Sequence, residues 1–275
     1  MRQGKRYRDA QKGFACLLSL LMLLPCFGFA ETSDAPKYEY EGDRIHVWVE
    51  EGTMEGTRWM AAHVQIQTPE QLTNHMAGKN SKDKKRGFVI AQEAGAVLAV
   101  NGDLMSANKS PAGRHLVRNG KLIYAKASGL LDTLIIDQNG DFRILLKATE
   151  EDIQAFEEEI INCYTFGPAL VVDGKMVTEF QDHSYSAFKP AQRMAICQTG
   201  PLSYLCIATS GPDHRNSKGM TIRQFAALVA SFPDVIQAYN LDGGSSAQMI
   251  FNGEKINLFG KKGSASIADV ICFLP

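Results

Sequence analysis

The chain has 275 residues, of which 45% are hydrophobic and 21% are charged, and its formal net charge is −1. A nearly neutral chain without a basic tract excludes a typical binder of nucleic acid or of anionic membranes. The length suits one large domain or two small ones. Because no repeat and no Pro/Ser/Gly-rich linker divides the sequence, we expect a single domain.

Residues 1–30 are a predicted secretory signal peptide. Five basic residues lie within the first 12 positions, and an apolar run follows over residues 14–29. Gly28 and Ala30 are small residues at the positions that a signal peptidase reads. Pro25 interrupts the run, which is short for a bilayer span of about 20 apolar residues, so a cleaved signal peptide is favoured. An uncleaved membrane anchor is the alternative. We therefore expect a secreted or extracytoplasmic protein that contacts a membrane only through this segment, if it is kept.

Residues 31–89 are predicted to begin the domain with strands and one helix. Ile45, Val47 and Val49 alternate with polar residues, and residues 58–67 continue this pattern. Such alternation indicates antiparallel strands with one face in water. Thr68 is a predicted cap for a short helix over residues 69–77.

A helix over residues 88–95 is predicted to lead into a buried strand that ends at Asn101-Gly102-Asp103. This turn puts an amide and a carboxylate at the rim of a sheet, where functional sites are commonly built. The alternative is a structural Asn-Gly turn.

Four hairpins are predicted in the middle of the chain. Each consists of two apolar strands around a turn sequence, and the turns are Asn119-Gly120, residues 137–140, Asp173-Gly174 and residues 199–201. Thr149 and Asp152 are predicted to start an acidic helix that continues to residue 159. The pattern predicts an α+β fold, a single domain of largely antiparallel or mixed β-sheet with a few packed helices.

A polar loop over residues 210–219 contains Asp213, His214 and Arg215. It leads into a predicted helix that starts with the capping-box pair Thr221 and Gln224. Apolar residues at helical spacing give this helix one face that can pack on a sheet. A strand ending at residue 239 follows directly.

The stretch after that strand, residues 240–246, is the most distinctive of the chain. Gly243 and Gly244 can take positive φ angles and leave their amide groups uncovered by side chains. Such amides, beside the carboxylate of Asp242 and the hydroxyl of Ser246, can hold an oxyanion or a metal ion. The alternative is an ordinary Asp-Gly turn with serine caps.

Polar side chains at these strand ends suit a sugar-phosphate ligand. Asparagine and aspartate bind hydroxyl groups, and the guanidinium of a residue such as Arg193, at the head of a neighbouring strand, matches phosphate oxygens. Residues 260–264 lack the spacing of a nucleotide-binding glycine loop, which excludes nucleotide hydrolysis of that type.

Several motifs, taken in order and spacing, resemble the phosphodiester glycosidase family. They are Asn101-Gly102-Asp103, Gly167-Pro168-x-Leu170, Arg193-x-Ala195-Ile196, Gly211 to Arg215 with Gly219-Met220-Thr221, and residues 240–246. The similarity covers roughly residues 90–273. We therefore assign residues 90–275 as the phosphodiester glycosidase-like part of the domain. It implies an α+β domain that cleaves a sugar–O–phosphate linkage at the anomeric carbon.

The sequence departs from the family pattern at several positions. Leu104 and Met105 stand where two phenylalanines are common, His214 replaces a glycine, and Gln224 stands where glutamate is common. We therefore expect substrate choice to differ from that of other members.

The resemblance, with the chemistry of the leaving group, implies roles for individual residues. Asp242 is the predicted base or nucleophile, Asp213 the second candidate carboxylate, and Arg193 the predicted stabiliser of charge. The predicted substrate-binding residues are Asn101, Asp103, Arg215, Thr221, Asn240, Gly243, Gly244 and Ser246.

Three alternatives remain open at the level of the sequence. Asp103, Asp213 and Asp242 match calcium in ligand type, although no cofactor is required. Ser246, His214 and Asp213 are a conceivable hydrolase triad. A non-catalytic cell-wall or glycan-binding module with a retained sugar-phosphate pocket is the alternative function.

Four cysteines follow the predicted signal peptide: Cys163, Cys197, Cys206 and Cys272. An even number in an exported chain permits disulfides. Three of the four lie in apolar, strand-like runs, so buried free thiols are an equal alternative.

Overall fold

A computed structural model describes residues 37–80, 82–103, 113–180, 188–212, 214, 216–257 and 264–275. The predicted signal peptide, Asp213 and Arg215 lie outside these residues, so the predictions made for them stay predictions. The described residues group into one compact unit. Within the described part of the chain, no helix is long and apolar enough to cross a membrane.

The strands, in chain order, are β1 (Tyr38–Glu41), β2 (Ile45–Met54), β3 (Thr57–Ile66), β4 (Leu72–Met76), β5 (Lys85–Arg86), β6 (Leu98–Asn101), β7 (His115–Arg118), β8 (Lys121–Ala125), β9 (Thr133–Asp137), β10 (Phe142–Leu145), β11 (Ile160–Tyr164), β12 (Ala169–Val172), β13 (Lys175–Met176), β14 (Met194–Gly200), β15 (Ser203–Thr209), β16 (Gln237–Leu241), β17 (Met249–Phe251), β18 (Glu254–Lys255), β19 (Ser266–Ile267) and β20 (Asp269–Phe273). The α-helices are α1 (Gly87–Ala94), α2 (Glu150–Gln154) and α3 (Ile222–Ala230). Short 3₁₀ helices cover Pro69–Gln71, Glu157–Glu159 and Gly244–Ser246.

The strands of the described residues form three larger sheets and one small ribbon. The main sheet has the order β1-β2-β3-β15-β14-β16-β12-β13, the second sheet β10-β9-β11-β7-β8, and the third sheet β18-β17-β6-β20-β4, while β19 pairs with β5. Every strand pair of the described residues is antiparallel. The predicted α+β class with largely antiparallel sheets is confirmed.

The four predicted hairpins are also confirmed, as β7–β8, β9–β10, β12–β13 and β14–β15. In the first of them, Asn119 and Gly120 take φ angles of 49° and 73°. Two consecutive positive φ angles give the turn a twist that matches the twist of the flanking strands, and Asn-Gly adopts them readily.

The central strand β14 has both faces buried. Met194 and Ile196 belong to the large core that the main sheet shares with the other two sheets. Ala195 and Cys197 face the opposite way, into a second core with Phe225 of α3. This alternation follows from the two-residue period of a strand. Helix α3 therefore covers the outer face of the main sheet, as its apolar face predicts.

Two of the predicted helices are wrong in extent. Residues 69–77 form only a 3₁₀ helix followed by the strand β4, which pairs along its length with β20. Thr68 and Gln71 do form a capping box, but pairing with β20 decides the conformation of the residues that follow. The acidic helix ends at Gln154, and a separate 3₁₀ turn covers Glu157–Glu159, where like charges disfavour helix continuation.

All four cysteines of the domain are free and buried. Burial raises the pKa of each thiol, to about 12 for Cys272. The buried-thiol alternative is therefore the observed one, and these residues act as small apolar side chains.

Candidate functional site

Strand pairing brings Arg193 and Asp242 together. Strands β14 and β16 are antiparallel, with Met194 opposite Leu241. Arg193 comes directly before β14 and Asp242 directly after β16. Because the two strands are antiparallel, both residues lie at the same end of this strand pair. The amide of Gly244 donates a hydrogen bond to the carbonyl of Gln192 at 2.9 Å, which connects the two segments.

Asn101, at the end of β6, connects the loop after β16 to the third sheet. Its Nδ2 donates to the carbonyl of Asp242 at 2.8 Å, and its Oδ1 accepts from the amide of Gln248 at 3.0 Å. The side chain is buried. Because both ends of the amide are bonded to backbone, we assign Asn101 a positioning role in place of the predicted contact with sugar.

A cleft of about 680 Å³ lies beside this loop, and five of the predicted site residues line it: Arg193, Asn240, Asp242, Gly243 and Gly244. Asp242 also lines a second cavity, of about 30 Å³, together with Asn101, Asp103 and Ser246. The larger volume is typical of sites for small organic ligands, whereas the smaller one is that of a single water molecule.

Asp242 is held in a setting that favours its neutral form. Burial raises the pKa of its carboxyl to about 6, and the negative charge of Asp103 adds to this effect. The hydroxyl of Ser246, the amide of Gly243 and the charge of Arg114 act in the opposite direction. A carboxyl with a pKa close to neutral can exchange protons at physiological pH, as general acids and bases do.

The guanidinium of Arg193 is fixed by backbone carbonyls. Its Nε donates to Met220 at 3.0 Å and its Nη2 to Lys189 at 2.8 Å. Burial lowers its pKa to about 10, so it stays positively charged at neutral pH. A cation held rigidly beside a cleft stabilises a negative charge without reorganising.

Asn240 presents an unused hydrogen-bond acceptor. Its Nδ2 donates to the carbonyl of Gly167 at 2.7 Å, whereas its buried Oδ1 has no partner among the described residues. The residue is 2% exposed and lines the cleft. A buried polar atom without a partner costs about 1–3 kcal/mol.

The two glycines differ in their constraints. A Cβ at Gly243 would lie 2.6 Å from the carbonyl oxygen of Gln192, whereas at Gly244 it would meet nothing within 4 Å. Gly244 instead requires a positive φ, of 59°. Its amide is bonded to Gln192, which corrects the prediction that this amide is free to hold an oxyanion.

Asp103 has a structural environment. Its carboxylate accepts hydrogen bonds from Nη1 of Arg114 and from the amide of Thr165, both at 2.8 Å. Both side chains of the ion pair are almost completely buried. Asp103 therefore does not offer a free oxygen to substrate, and we revise its predicted binding role to an electrostatic effect on Asp242.

Thr221 caps helix α3 and does not line the cleft. Its hydroxyl accepts from the amide of Gln224 at 3.3 Å and donates to the Oε1 of Gln224 at 2.9 Å. The capping box is confirmed. It occupies this hydroxyl, so the geometry does not support the predicted substrate contact.

The structure adds site residues that the sequence pattern did not indicate. The carbonyl of Gln192 accepts the hydrogen bond from the amide of Gly244. Asp132 lines the cleft, and its carboxylate accepts hydrogen bonds from the amides of Lys147 and Ala169, both at 3.0 Å. A carboxylate that accepts two backbone amides from separate segments fixes their relative position. Neither residue belongs to a recognisable motif, so only the packing reveals them.

Metal and triad hypotheses depend on Asp213, which lies outside the described residues. Among the residues that the structure does describe, no group of three or more His, Cys, Asp or Glu side chains could hold a metal ion. Calcium binding and the triad of Ser246, His214 and Asp213 therefore stay predictions.

Comparison with known proteins identifies a family and similar folds. A family model described as phosphodiester glycosidase matches residues 94–274. The structure is similar to the catalytic domain of zebrafish N-acetylglucosamine-1-phosphodiester alpha-N-acetylglucosaminidase, auto-inhibited by its pro-peptide, with a TM-score of 0.65 and 18% identity over 89% of this chain and 88% of that one. A comparison with curated proteins found no match.

Two bacterial structures share the fold. A hypothetical protein from Synechocystis has a TM-score of 0.64 and 15% identity over 87% of this chain and 64% of its own. A protein from Burkholderia pseudomallei, provisionally described as exported, has a TM-score of 0.55 and 14% identity over 80% of this chain and 74% of its own.

Proposed function

The chain belongs to the phosphodiester glycosidase family, and from this premise we propose that it is an exported hydrolase that cleaves the anomeric C–O bond of a sugar 1-phosphodiester. Water supplies the oxygen that becomes bonded to C1, and the other half of the substrate leaves as a phosphomonoester. The proposal is based on one observation: Asp242, Arg193 and Asn240 line the same cleft.

The leaving group decides which catalytic groups are needed. Ordinary glycosidases use one carboxylic acid to protonate a poor alkoxide leaving group. A phosphomonoester has a last pKa of about 6, so it leaves without strong protonation. The fixed positive charge of Arg193 favours its departure.

Asp242 is the proposed group at the anomeric carbon. With a pKa of about 6, most of its carboxyl is charged at neutral pH. The charged form either attacks C1 as a nucleophile or takes a proton from the attacking water. Both routes need Asp242 beside the sugar, and the hydrogen bond from Asn101 to its carbonyl fixes the backbone there.

The sugar is proposed to bind beside Asn240, which lines the cleft. Asp213 is proposed as the second carboxylate, with Arg215 and Ser246 as further contacts to the substrate. The similar zebrafish protein is named for N-acetylglucosamine 1-phosphodiesters, so this sugar is the first to test.

We also propose a secreted or cell-envelope location. The predicted signal peptide supports it, as does the similarity to the Burkholderia protein described as exported. A glycan or cell-wall component is then an accessible substrate.

The proposal is tested by hydrolysis in H₂¹⁸O. The substrates are α and β 1-phosphodiesters of N-acetylglucosamine, glucose and galactose with methanol and butanol. We expect release of reducing sugar, with ¹⁸O in the sugar and none in the phosphomonoester. Label in the phosphate would identify P–O cleavage and contradict the glycosidase mechanism. Saturable binding without release would favour the non-catalytic glycan-binding module.

A further inference from the structure

The cleft that contains Asp242 also has an apolar part. Leu130, Leu146 and Met176 line it with exposed fractions of 45%, 55% and 38%. They belong to three separate elements: the connection before β9, the residue after β10, and strand β13. None of them belongs to a core cluster of the described residues. Their exposure is therefore not a by-product of core packing.

Position distinguishes these side chains from ordinary surface residues. The described part of the chain has seven large exposed apolar side chains, and three of them line one cleft. Single exposed leucines are common, whereas a contiguous exposed apolar surface marks a binding site. Val172 and Val177 also line the cleft and continue this surface towards the core.

Two cations accompany the apolar surface. Lys147 and Lys175 line the cleft, and they are the sequence neighbours of Leu146 and Met176. Asp132 and Glu179 line it as well, and the carboxylate oxygens of Asp132 already accept backbone amides. Apolar surface beside positive charge matches a ligand that joins an anionic group to a hydrocarbon.

We propose that the group esterified to the far side of the phosphate is apolar, so that the substrate is a sugar 1-phosphodiester of an aliphatic alcohol. This inference rests on the proposed function and names its substrate class. The sugar lies at Asp242 and Asn240, the phosphate near Arg193 and the lysines, and the hydrocarbon against Leu130, Leu146 and Met176. A second sugar as the aglycone would leave these apolar side chains without a partner.

A chain-length series tests the proposal. The substrates are methyl, butyl and octyl esters of N-acetylglucosamine 1-phosphate, kept below the concentration at which micelles form. Each buried methylene favours binding, so we expect kcat/KM to rise by about 10-fold or more from the methyl to the octyl ester. A flat series, or a better rate with a mannose ester than with the octyl ester, would overturn the inference.

Matched variants locate the effect. The double variant Leu130→Ser/Leu146→Ser is expected to lower the ratio of octyl to methyl kcat/KM towards 1, since two of the three exposed apolar side chains of the cleft are lost. Leu122→Ser is the control, because Leu122 is 50% exposed and does not line the cleft. This control is expected to keep the wild-type ratio, and a loss of the ratio in the control would contradict the assignment.

Binding of phosphomonoesters separates this inference from the proposed function. By calorimetry, octyl phosphate is expected to bind about 10-fold or more tighter than ethyl phosphate, and the double variant removes the difference. Tighter binding of octyl phosphate would support the apolar aglycone site even if no ester is hydrolysed. Absence of hydrolysis would then contradict only the proposed glycosidase function. Equal binding of the two phosphates would overturn the inference. Dimers that dissociate in the double variant would also overturn it, by identifying a contact between two copies.

Discussion

The buried carboxyl of Asp242 weakens the fold at neutral pH. Its pKa in the folded protein is about 6, mainly because of burial, whereas an unfolded aspartate has a pKa of about 3.9. Between these values the folded protein binds more protons than the unfolded chain. The free energy of unfolding therefore falls as pH rises through this window, and the loss is complete above pH 6.

The substitution Asp242→Asn removes this penalty. At pH 8 we expect the variant to be more stable than the wild type by about 1–3 kcal/mol, and at pH 4 by much less. Urea denaturation at both pH values measures the difference, with the exposed Asp43→Asn as a control. A difference that does not depend on pH would show that charging Asp242 does not oppose folding.

The same pKa predicts the pH dependence of the reaction. In the proposed mechanism Asp242 acts in its charged form, so kcat/KM for a sugar 1-phosphodiester should rise with pH and level off above an apparent pKa of about 6. A pH–rate profile of the wild type checks this. A rate that instead falls as pH rises through 6 would assign Asp242 the role of a protonated acid.

At the scale of elements, the loop after β16 depends on the close approach of two backbones. Gly243→Ala would place a Cβ 2.6 Å from the carbonyl of Gln192, which belongs to the backbone and cannot rotate away. We expect kcat to fall by about 10-fold or more, because misplacing a reacting group is costly. Steady-state kinetics measures the loss.

Gly244→Ala is the matched control. There a Cβ meets no atom within 4 Å, and only the φ of 59° opposes it. The strain costs about 1–2 kcal/mol of stability, and the loss in kcat should be smaller than for Gly243→Ala. Equal losses would show that close approach to Gln192 is not the constraint.

Local turn chemistry made the hairpins predictable from the sequence. Asn119 and Asp173 with their following glycines specify turns within four residues, and both turns form as expected. Residues 72–76 were predictable only in part, because their conformation depends on β20, almost 200 positions away. Pairing between distant strands overrides a local helix signal.

At the scale of the whole molecule, a buried ion pair connects the second and third sheets. Nε of Arg118, on β7, donates to Oδ2 of Asp269, on β20, at 2.7 Å, and both side chains are almost fully buried. Asn74 of β4 donates to the same carboxylate at 2.9 Å. The contact therefore joins two sheets that share a core.

Removing one partner of this pair should destabilise the protein strongly. Arg118→Met leaves the carboxylate of Asp269 buried without its cation, and the expected loss is about 3–5 kcal/mol. Arg143→Met is the control. Nη2 of Arg143 lies 3.8 Å from Oε2 of Glu159, and both side chains are half exposed. Such surface ion pairs contribute about 0–1 kcal/mol. Chemical denaturation compares the two, and similar losses would contradict the account.

Whole-molecule packing also explains which site predictions needed the structure. The proximity of Arg193 and Asp242 was predictable because antiparallel strands bring their ends together. Asn101 and Asp103 were predicted at the rim, but Gln248, Arg114 and Thr165 determine where their side chains point. Gln248 and Thr165 come from distant segments, and no local pattern in the sequence indicates any of the three partners.

The most direct measurement is the kcat of Asp242→Asn on a sugar 1-phosphodiester that the wild-type protein cleaves. Asparagine has nearly the same size as aspartate, so the cleft and the hydrogen bond from Asn101 to the backbone of residue 242 should be kept. We predict a loss of about 10²-fold or more in kcat together with a folded variant. Turnover within about threefold of the wild type would contradict the claim that Asp242 performs the chemistry.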